Sequence, residues 1–240
     1  MSGTVLIFDN ERPSDSPYVE RIWRAHSEVA GSFDSIAESR WEMVLTNNAG
    51  TVEVTVRGPE TGPTHLHYSA GREWLGIRFK LGTVMPLLPA SSLVNTGVTL
   101  PPAAGRSFWL SGTTLPLPDY ENAEAFVDRL VREDLLVREP AVSAALEGRA
   151  DLSLRSVQRR FLRTAGVTHS AARQIERARY AALLLKQGVP ILDTVHRAGY
   201  FDQPHMTRSM RRLIGRTPGE ISSQGRPVQL SYLYKTTPFR

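Results

Sequence analysis

The 240-residue sequence contains no cysteine. This absence excludes disulfides, thiolate metal sites and cysteine nucleophiles, and it fits a reducing compartment such as the cytoplasm, where we expect the protein. The sequence also lacks any run of about 18 apolar residues, so we expect no span of a bilayer. Its amino-terminal stretch has no basic start followed by a long apolar segment, so we expect no signal peptide.

Motifs of common enzymes are missing as well. The sequence has no glycine-rich phosphate-binding loop and no dinucleotide fingerprint, and nothing in it supplies a nucleophile triad. We therefore predict that the protein is not an enzyme and has no catalytic residue, metal or cofactor.

Negative charge is scarce in the last part of the chain. Residues 151–240 hold 16 Lys/Arg and 5 Asp/Glu, a net charge of +11, whereas residues 1–150 hold 13 and 19, a net charge of −6. Such asymmetry indicates two domains with different partners. The basic part favours an anionic partner, and nucleic acid is the commonest large one.

Alternating apolar residues predict a mostly-β domain over residues 1–136. The stretches "TVEVTVRG" and "WLGIRFKLG" alternate, and turn-rich breaks such as "NNAG" and "GPETGP" separate them. We expect a β-sandwich or a cupin-like barrel. All four tryptophans lie in this region, where they would pack in the core or line an apolar pocket: Trp23, Trp41, Trp74 and Trp109.

From residue 121 the apolar spacing becomes helical. The pattern predicts an α+β protein whose carboxyl-terminal domain is all-α. A tail over residues 226–240 looks extended. Helices are expected near 121–135, 140–149, 153–164, 170–187, 191–198 and 203–214.

Two stretches of the basic part repeat one plan, a helix, a short turn and a second helix with a polar, basic outer face. In the first stretch Ser153 suits an N-cap, and Leu154, Val157 and Phe161 face inward. Arginine can bond bidentately to guanine and glutamine to adenine, so the outer face suits the major groove of DNA. The outward residues are Arg155, Gln158, Arg159 and Arg163.

The second stretch follows the same plan. Gly199 supplies the turn and Asp202 the N-cap. The inner face carries Met206, Met210 and Leu213, and the outer face carries Gln203, His205, Arg208 and Arg212. His205 has three interpretations, a base or phosphate contact, a helix-start hydrogen bond and a catalytic base. The catalytic interpretation lacks a nucleophile or an orienting acid nearby.

A helix over residues 170–187 joins the two stretches. Its 18 residues give a length of about 27 Å at 1.5 Å per residue. A rod of that length would hold two recognition helices at a spacing near one turn of DNA, roughly 34 Å.

The segment from about 140 to 221 resembles the DNA-binding domain of AraC/XylS-type bacterial transcription regulators. The stretches "LSLRSVQRRFLRTAGVT" and "GYFDQPHMTRSMRRLIGRTP" carry the likeness. The front region is similar to the sensor domain of a subgroup of these regulators, through "WLGIRFKLG" and "ENAEAFVDRLVRED".

This resemblance implies a ligand-sensing domain over residues 1–136 and a double helix-turn-helix domain over 137–225, with recognition helices in adjacent major grooves. It also implies a partner, double-stranded promoter DNA. A small-molecule effector, RNA polymerase and a second copy of the chain are further candidate partners. The base-reading candidates carried over by position are Arg155, Gln158, Arg159, Gln203, His205 and Arg208, with Thr207 nearer the DNA backbone.

Two alternatives stay open on the sequence alone. His65 and His67 alternate along a predicted strand and project from one face, so a metal-dependent enzyme with an accessory basic domain is the first. Two histidines on a solvated strand face are the ordinary interpretation of the same pattern. A nucleoid-type binder without sequence preference is the second, and it would show steep salt dependence on every DNA.

Overall fold

The computed structural model describes residues 6–140, 142, 144 and 153–222. Its contacts divide the chain into two compact units. The β unit takes the chain up to Gly31 together with Arg40–Pro59 and His67–Gly166. The helical unit takes Ser32–Ser39, Glu60–Leu66 and the chain from Val167 onward. The units interleave along the sequence, whereas the sequence predicts consecutive domains, and the boundaries at 136 and 225 stay a prediction.

The strands form one large antiparallel sheet and three small ones. The large sheet has the order β1-β2-β7-β4-β5-β9, and the small sheets are β10-β11-β12, β13-β8 and β3-β6. The bounds are β1 Leu6–Pro13, β2 Val19–Ser27, β3 Gly31–Ser35, β4 Glu42–Asn48, β5 Thr51–Arg57, β6 Thr64–Tyr68, β7 Arg72–Phe79, β8 Thr83–Val84, β9 Gly97–Leu100, β10 Pro102–Ala103, β11 Ser107–Leu110, β12 Thr113–Pro116 and β13 Val137–Arg138.

The core of the β unit follows from the alternation of these strands. Ile22, Ile77, Met43 and Val56 pair in register across β2, β7, β4 and β5, and each is fully buried. Such a row removes the apolar face of four strands from water, which is the main favourable contribution to their folding. The prediction of a mostly-β amino-terminal region is confirmed.

Among the residues that the structure describes, two α-helices with defined bounds and one 3-10 helix belong to the β unit. Helix α1, Ala123–Arg132, buries the face that the sequence predicts, and a short 3-10 helix spans Ala90–Ser92. Helix α2, Leu154–Ala165, packs against that 3-10 helix. It ends at Gly166 with φ +74°, where an added Cβ would lie 2.8 Å from the Ala90 carbonyl oxygen. Glycine is therefore required at this approach.

Four helices form the helical unit. They are α3 His169–Lys186, α4 Ile191–Arg197, α5 Gln203–Leu213 and α6 Pro218–Ser222. Their shared core includes Ala178, Met206 and Met210, and Ile36 and Ala37 from the amino-terminal part of the chain complete it. Helices α2 to α5 confirm the predicted spans to within a residue or so, and α6 is an additional short helix.

Some predicted elements fall outside the described residues. Most of the expected helix at 140–149, and the whole of the expected tail at 226–240, lie there. Among the helices that are described, none has the length and apolar character needed to cross a membrane.

Candidate nucleic-acid interface

Helix α5 is fixed at its start by its own sequence. The Asp202 carboxylate accepts a hydrogen bond from the His205 backbone N–H at 2.6 Å, as the N-cap prediction requires. Pro204 stands in the first turn, where its missing N–H has no helical partner to lose. Met206 and Met210 are fully buried, and the sequence prediction of an inward stripe is confirmed. The opposite face of α5 is consequently held outward.

The predicted site residues on α5 differ in exposure. Gln203, Arg208 and Arg212 are exposed, whereas His205 and Thr207 are half-buried. The Arg212 Nη2 donates to Gln174 Oε1 at 2.5 Å, so its guanidinium is oriented by α3.

His205 has a structural role at the start of α5. Its backbone N–H completes the cap, and its ring meets the Tyr200 ring edge-on, with centroids 5.2 Å apart. Edge-to-face packing of this kind stabilises aromatic pairs. The cap bond uses the backbone N–H, which most residues at this position would supply, whereas the ring packs on Tyr200. A DNA contact by the ring stays a prediction.

Tyr200 links the turn before α5 to α3. Its hydroxyl donates to Ser209 Oγ at 3.1 Å, and the Arg177 guanidinium carbon lies 4.4 Å from its ring centroid. Burial raises the pKa of Tyr200, so the phenol stays protonated and able to donate. The turn and the helix are held by one packed aromatic ring.

The end of α5 is held by residues from the amino-terminal part of the chain. The Ala37 N–H donates to the Leu213 carbonyl oxygen at 2.9 Å, and this carbonyl belongs to the last turn of α5, which has no helical donor. Arg179, 2% exposed, donates to the Ala37 carbonyl oxygen at 3.0 Å and pairs with Glu38 at 3.3 Å. Ser39 Oγ donates to Glu176 Oε1 at 3.0 Å. The segment Ser32–Ser39 is thus a structural part of the helical unit.

Helix α2 exposes the same kinds of side chain as α5, arginine and glutamine. Ser153 Oγ accepts from the Ser156 N–H at 3.3 Å, as predicted for an N-cap, and Phe161 is fully buried. Val157 is half-buried, and the side chain of Leu154 lies outside the described part of the chain. The four predicted readers of this helix are all exposed: Arg155, Gln158, Arg159 and Arg163.

The structure thus brings the predicted site residues together as two groups, one on α2 in the β unit and one on α5 in the helical unit. Sequence reasoning missed the roles of Arg179 and Glu38 in supporting α5. It also missed a basic cleft of the helical unit that includes Arg173 and Arg177. Their i, i+4 spacing on one helix was a signal that could have found this pair.

A second cleft lies in the β unit and has a volume of about 500 Å³. Apolar side chains such as Trp74 and Leu75 line it together with Arg24, Arg106 and Tyr120. The Arg24 guanidinium carbon lies 5.1 Å from the Tyr120 ring centroid. The lining also includes the acidic residues Asp9, Glu73, Asp119 and Glu121, so charged groups of both signs accompany the apolar side chains. Clefts of this size are the usual sites of small molecules.

The other tryptophans have different positions. Trp23 and Trp41 are buried, and Trp41 stacks on Phe79 with centroids 4.0 Å apart. Trp109 is 46% exposed. Trp74 is the one that the structure places in the lining of the β-unit cleft.

The histidine pair of β6 is exposed. His65 Nδ1 lies 2.8 Å from Asp34 Oδ1, and Arg216 also binds the Asp34 carboxylate. Among the residues that the structure describes, no three His, Asp or Glu side chains stand close enough together to hold a metal ion. The geometry therefore lends no support to a metal site at His65 and His67.

Comparisons with known proteins find a helix-turn-helix domain in the carboxyl-terminal part of the chain. A family model described as "Helix-turn-helix domain" matches residues 146–224, which include α2 to α6. The protein named "HTH-type transcriptional regulator RipA" from Corynebacterium glutamicum is 32% identical over 128 residues, 52% of this chain. Residues 146–224 therefore carry a helix-turn-helix domain. This domain and the relative support the predicted resemblance to AraC-family transcription regulators.

The match to this relative is partial. The chain spans 37% of the length of that curated relative. No solved structure matches the chain.

Proposed function

We propose that this protein is a cytoplasmic, sequence-specific transcriptional regulator of the AraC/XylS type that reads two adjacent major grooves with α2 and α5. The observation that carries the proposal is the outer face of α5. Its Gln203 and Arg208 are exposed while Met206 and Met210 behind them are fully buried. A capped helix with a fixed back and an Arg/Gln front is suited to bond base edges.

Helix α2 supports the second half of the proposal. It presents Arg155, Gln158 and Arg159 on a capped helix of similar length, with Phe161 buried behind them. The 18 residues of α3 give a rod of about 27 Å, which suits two readers near one DNA turn apart.

Selection of bound duplexes from a random pool, with the full-length chain, tests this function. We expect a bipartite motif whose halves are about one helical turn apart. A motif with one half would show that one helix reads bases and the other does not. Recovery of no enriched sequence, with steep salt dependence on every duplex, would support the nucleoid-type alternative.

Removal of one predicted reader from each helix sharpens the assignment. Arg159→Ala and Arg208→Ala should each cost roughly 1–3 kcal/mol of binding on the selected site and relax preference at one base position. Arg132→Ala, which removes an exposed charge from α1, is the matched control. Equal weakening on all sequences would reassign the arginine to a phosphate.

Modulation by a small molecule is the second part of the proposal, and the β-unit cleft supports it. A ligand that prefers one conformation of the protein shifts DNA affinity by the difference between its affinities for the two conformations. Compounds that raise the Tm of the wild type should change its Kd for DNA, and Arg24→Ala should lose both effects. A compound that binds this cleft but leaves DNA affinity unchanged contradicts the coupling. RNA polymerase and a second copy of the chain stay predicted partners.

A further inference from the structure

The helical unit contains a cleft of about 460 Å³ outside the predicted reader residues. The cleft lies between the first turns of α3 and the chain that runs from the end of α4 to Gly199. We call it the α3 cleft. Its polar lining includes His169, Arg173, Gln174, Glu176, Arg177 and Arg197.

Three guanidinium groups line the α3 cleft. Arg173 and Arg197 are exposed, and Arg177 is half-buried. Arg177 is held in place, because its Nη1 donates to the Gly199 carbonyl oxygen at 3.3 Å and its guanidinium lies over the Tyr200 ring. Guanidinium groups offer N–H donors in a planar fork that matches the oxygens of a phosphate.

The charge of the lining is positive. Glu176 is the acidic residue of the lining, and it is 1% exposed, with Oε1 accepting the hydrogen bond from Ser39. Burial lowers the pKa of His169, and the charge of Arg173 lowers it further. Only the Arg173 contribution reflects positive charge, and that charge favours an anion near His169.

The α3 cleft is connected to the predicted reader helix within the same unit. Gln174, from the cleft lining, accepts the hydrogen bond from Arg212 of α5. Gly199 and Tyr200 lead directly to the Asp202 cap of α5. A group bound in the cleft is thereby fixed relative to α5 through short contacts.

We propose that the α3 cleft binds a phosphate group, and that this phosphate belongs to the backbone of the DNA read by α5. The inference rests on the proposed function. Phosphate contacts set the register of a protein on a duplex, whereas base contacts set its sequence preference. Arg173, Arg177 and Arg197 then position the protein on the duplex without distinguishing one base sequence from another. A free phosphate is the other source of the same chemistry.

Salt titration of DNA binding by the full-length protein tests the proposal. Kd is measured between 50 and 200 mM KCl on the selected duplex and on a scrambled duplex of equal length, for wild type, Arg173→Ala and Arg197→Ala. One phosphate contact contributes about 0.9 to the slope of log K against log salt, so each variant should reduce the slope by up to about 0.9 and should weaken binding to both duplexes by the same factor. Lys186→Ala removes one exposed charge from the other end of α3 and should leave the slope unchanged.

Other outcomes have assigned meanings. Unchanged slopes in both arginine variants, with circular dichroism showing intact folding, overturn the proposal. Weakening confined to the selected duplex also overturns it, because that result marks a base contact. A wild type without preference between duplexes, whose salt slope both arginine variants still reduce, removes the proposed sequence-specific function and supports the phosphate contact in the α3 cleft.

A second arm separates DNA from a free anion. The Tm of wild type and Arg173→Ala is compared in inorganic phosphate and in KCl of the same ionic strength. No phosphate-specific rise in Tm, together with the reduced DNA slopes, supports the DNA backbone as the source. A rise that Arg173→Ala abolishes, with DNA slopes unchanged, overturns the DNA source and identifies a free phosphate as the ligand.

Discussion

Helices α2 and α5 expose similar side chains to solvent, but they pack against different parts of the protein. Both begin at a side-chain cap, and both expose arginine and glutamine along one face. Helix α2 rests on the 3-10 helix Ala90–Ser92 of the β unit. Helix α5 rests on α3 and α6, and the segment Ser32–Ser39 binds its end.

The exposed face of each helix and the residues that hold the helix in place are therefore encoded in different parts of the sequence. The residues of each outer face lie within about a dozen consecutive positions of the sequence. The support of α5 depends on Arg179 and Glu38, which lie far apart in sequence. Changes in the two supports should therefore affect the two readers independently, and that expectation can be measured.

The largest effects are expected from the buried side chains behind each reader. Phe161→Ala should destabilise the β unit by about 3–5 kcal/mol, and Met210→Ala should destabilise the helical unit by about 2–5 kcal/mol, because each leaves a cavity. All four tryptophans belong to the β unit, so their fluorescence in urea reports that unit, while circular dichroism reports the helices. If each variant shifts the fluorescence transition and the circular dichroism transition equally, the two units unfold as one cooperative structure. The supports of α2 and α5 would then not be independent.

A buried ion pair should give the next largest effect. Glu38→Gln leaves the Arg179 charge buried without its carboxylate, so we expect a loss of about 3 kcal/mol in the helical unit. Glu133→Gln removes the partner of Arg129 in an exposed i, i+4 pair of α1 and is the matched control. That control should cost under about 0.5 kcal/mol. Similar losses of stability for the two variants would show that the buried Arg179–Glu38 pair stabilises the protein no more than the exposed Arg129–Glu133 pair.

Removal of either helix cap should have a smaller effect on stability, and the two losses should differ. Asp202→Ala should cost about 1–2 kcal/mol and Ser153→Ala about 0.5–1 kcal/mol, because the aspartate bond is charged and shorter, 2.6 Å against 3.3 Å. Urea unfolding measures both losses. Asp202→Ser and Ser153→Asp keep a capping oxygen and should restore most of the stability. A larger loss at Ser153 would reverse the predicted order.

The smallest effect is a dependence on pH. Burial opposes the charge of Asp34, but contacts with His65 and Arg216 outweigh burial and hold the pKa of Asp34 below its ordinary value. A carboxyl with a lowered pKa in the folded state adds stability above its unfolded pKa, and that stability is lost as pH falls through the folded pKa. For a pair this exposed the gain is about 0.2–1 kcal/mol. The gap in stability between wild type and Asp34→Asn should shrink on acidification below about pH 4, and a constant gap would contradict the assignment.

Local pattern explains why much of the fold could be predicted. The caps at Ser153 and Asp202, the stripe of Met206 and Met210, and the alternating strands depend on residues a few positions apart, and the structure confirms them. The family resemblance is confirmed for the same reason, because its motifs lie in consecutive residues.

The support of α5 could not be predicted in this way. Arg179 is one of several arginines in α3, and helical period alone does not show which of them is buried. Its partners at Ala37 and Glu38 precede it by about 140 positions, and no local rule connects such distant residues.

The long sequence separation between Ala37 and Arg179 has a consequence for synthesis of the protein. Non-local contacts delay folding, because the intervening chain must be made and brought together first. Ile36 and Ala37 are synthesised before α3 to α6, so the core that they complete does not yet exist when they leave the ribosome. The helical unit can therefore close only after α3 and α5 have been synthesised. Chains that stop before α3 leave Ile36 and Ala37 without this core and cannot form the helical unit.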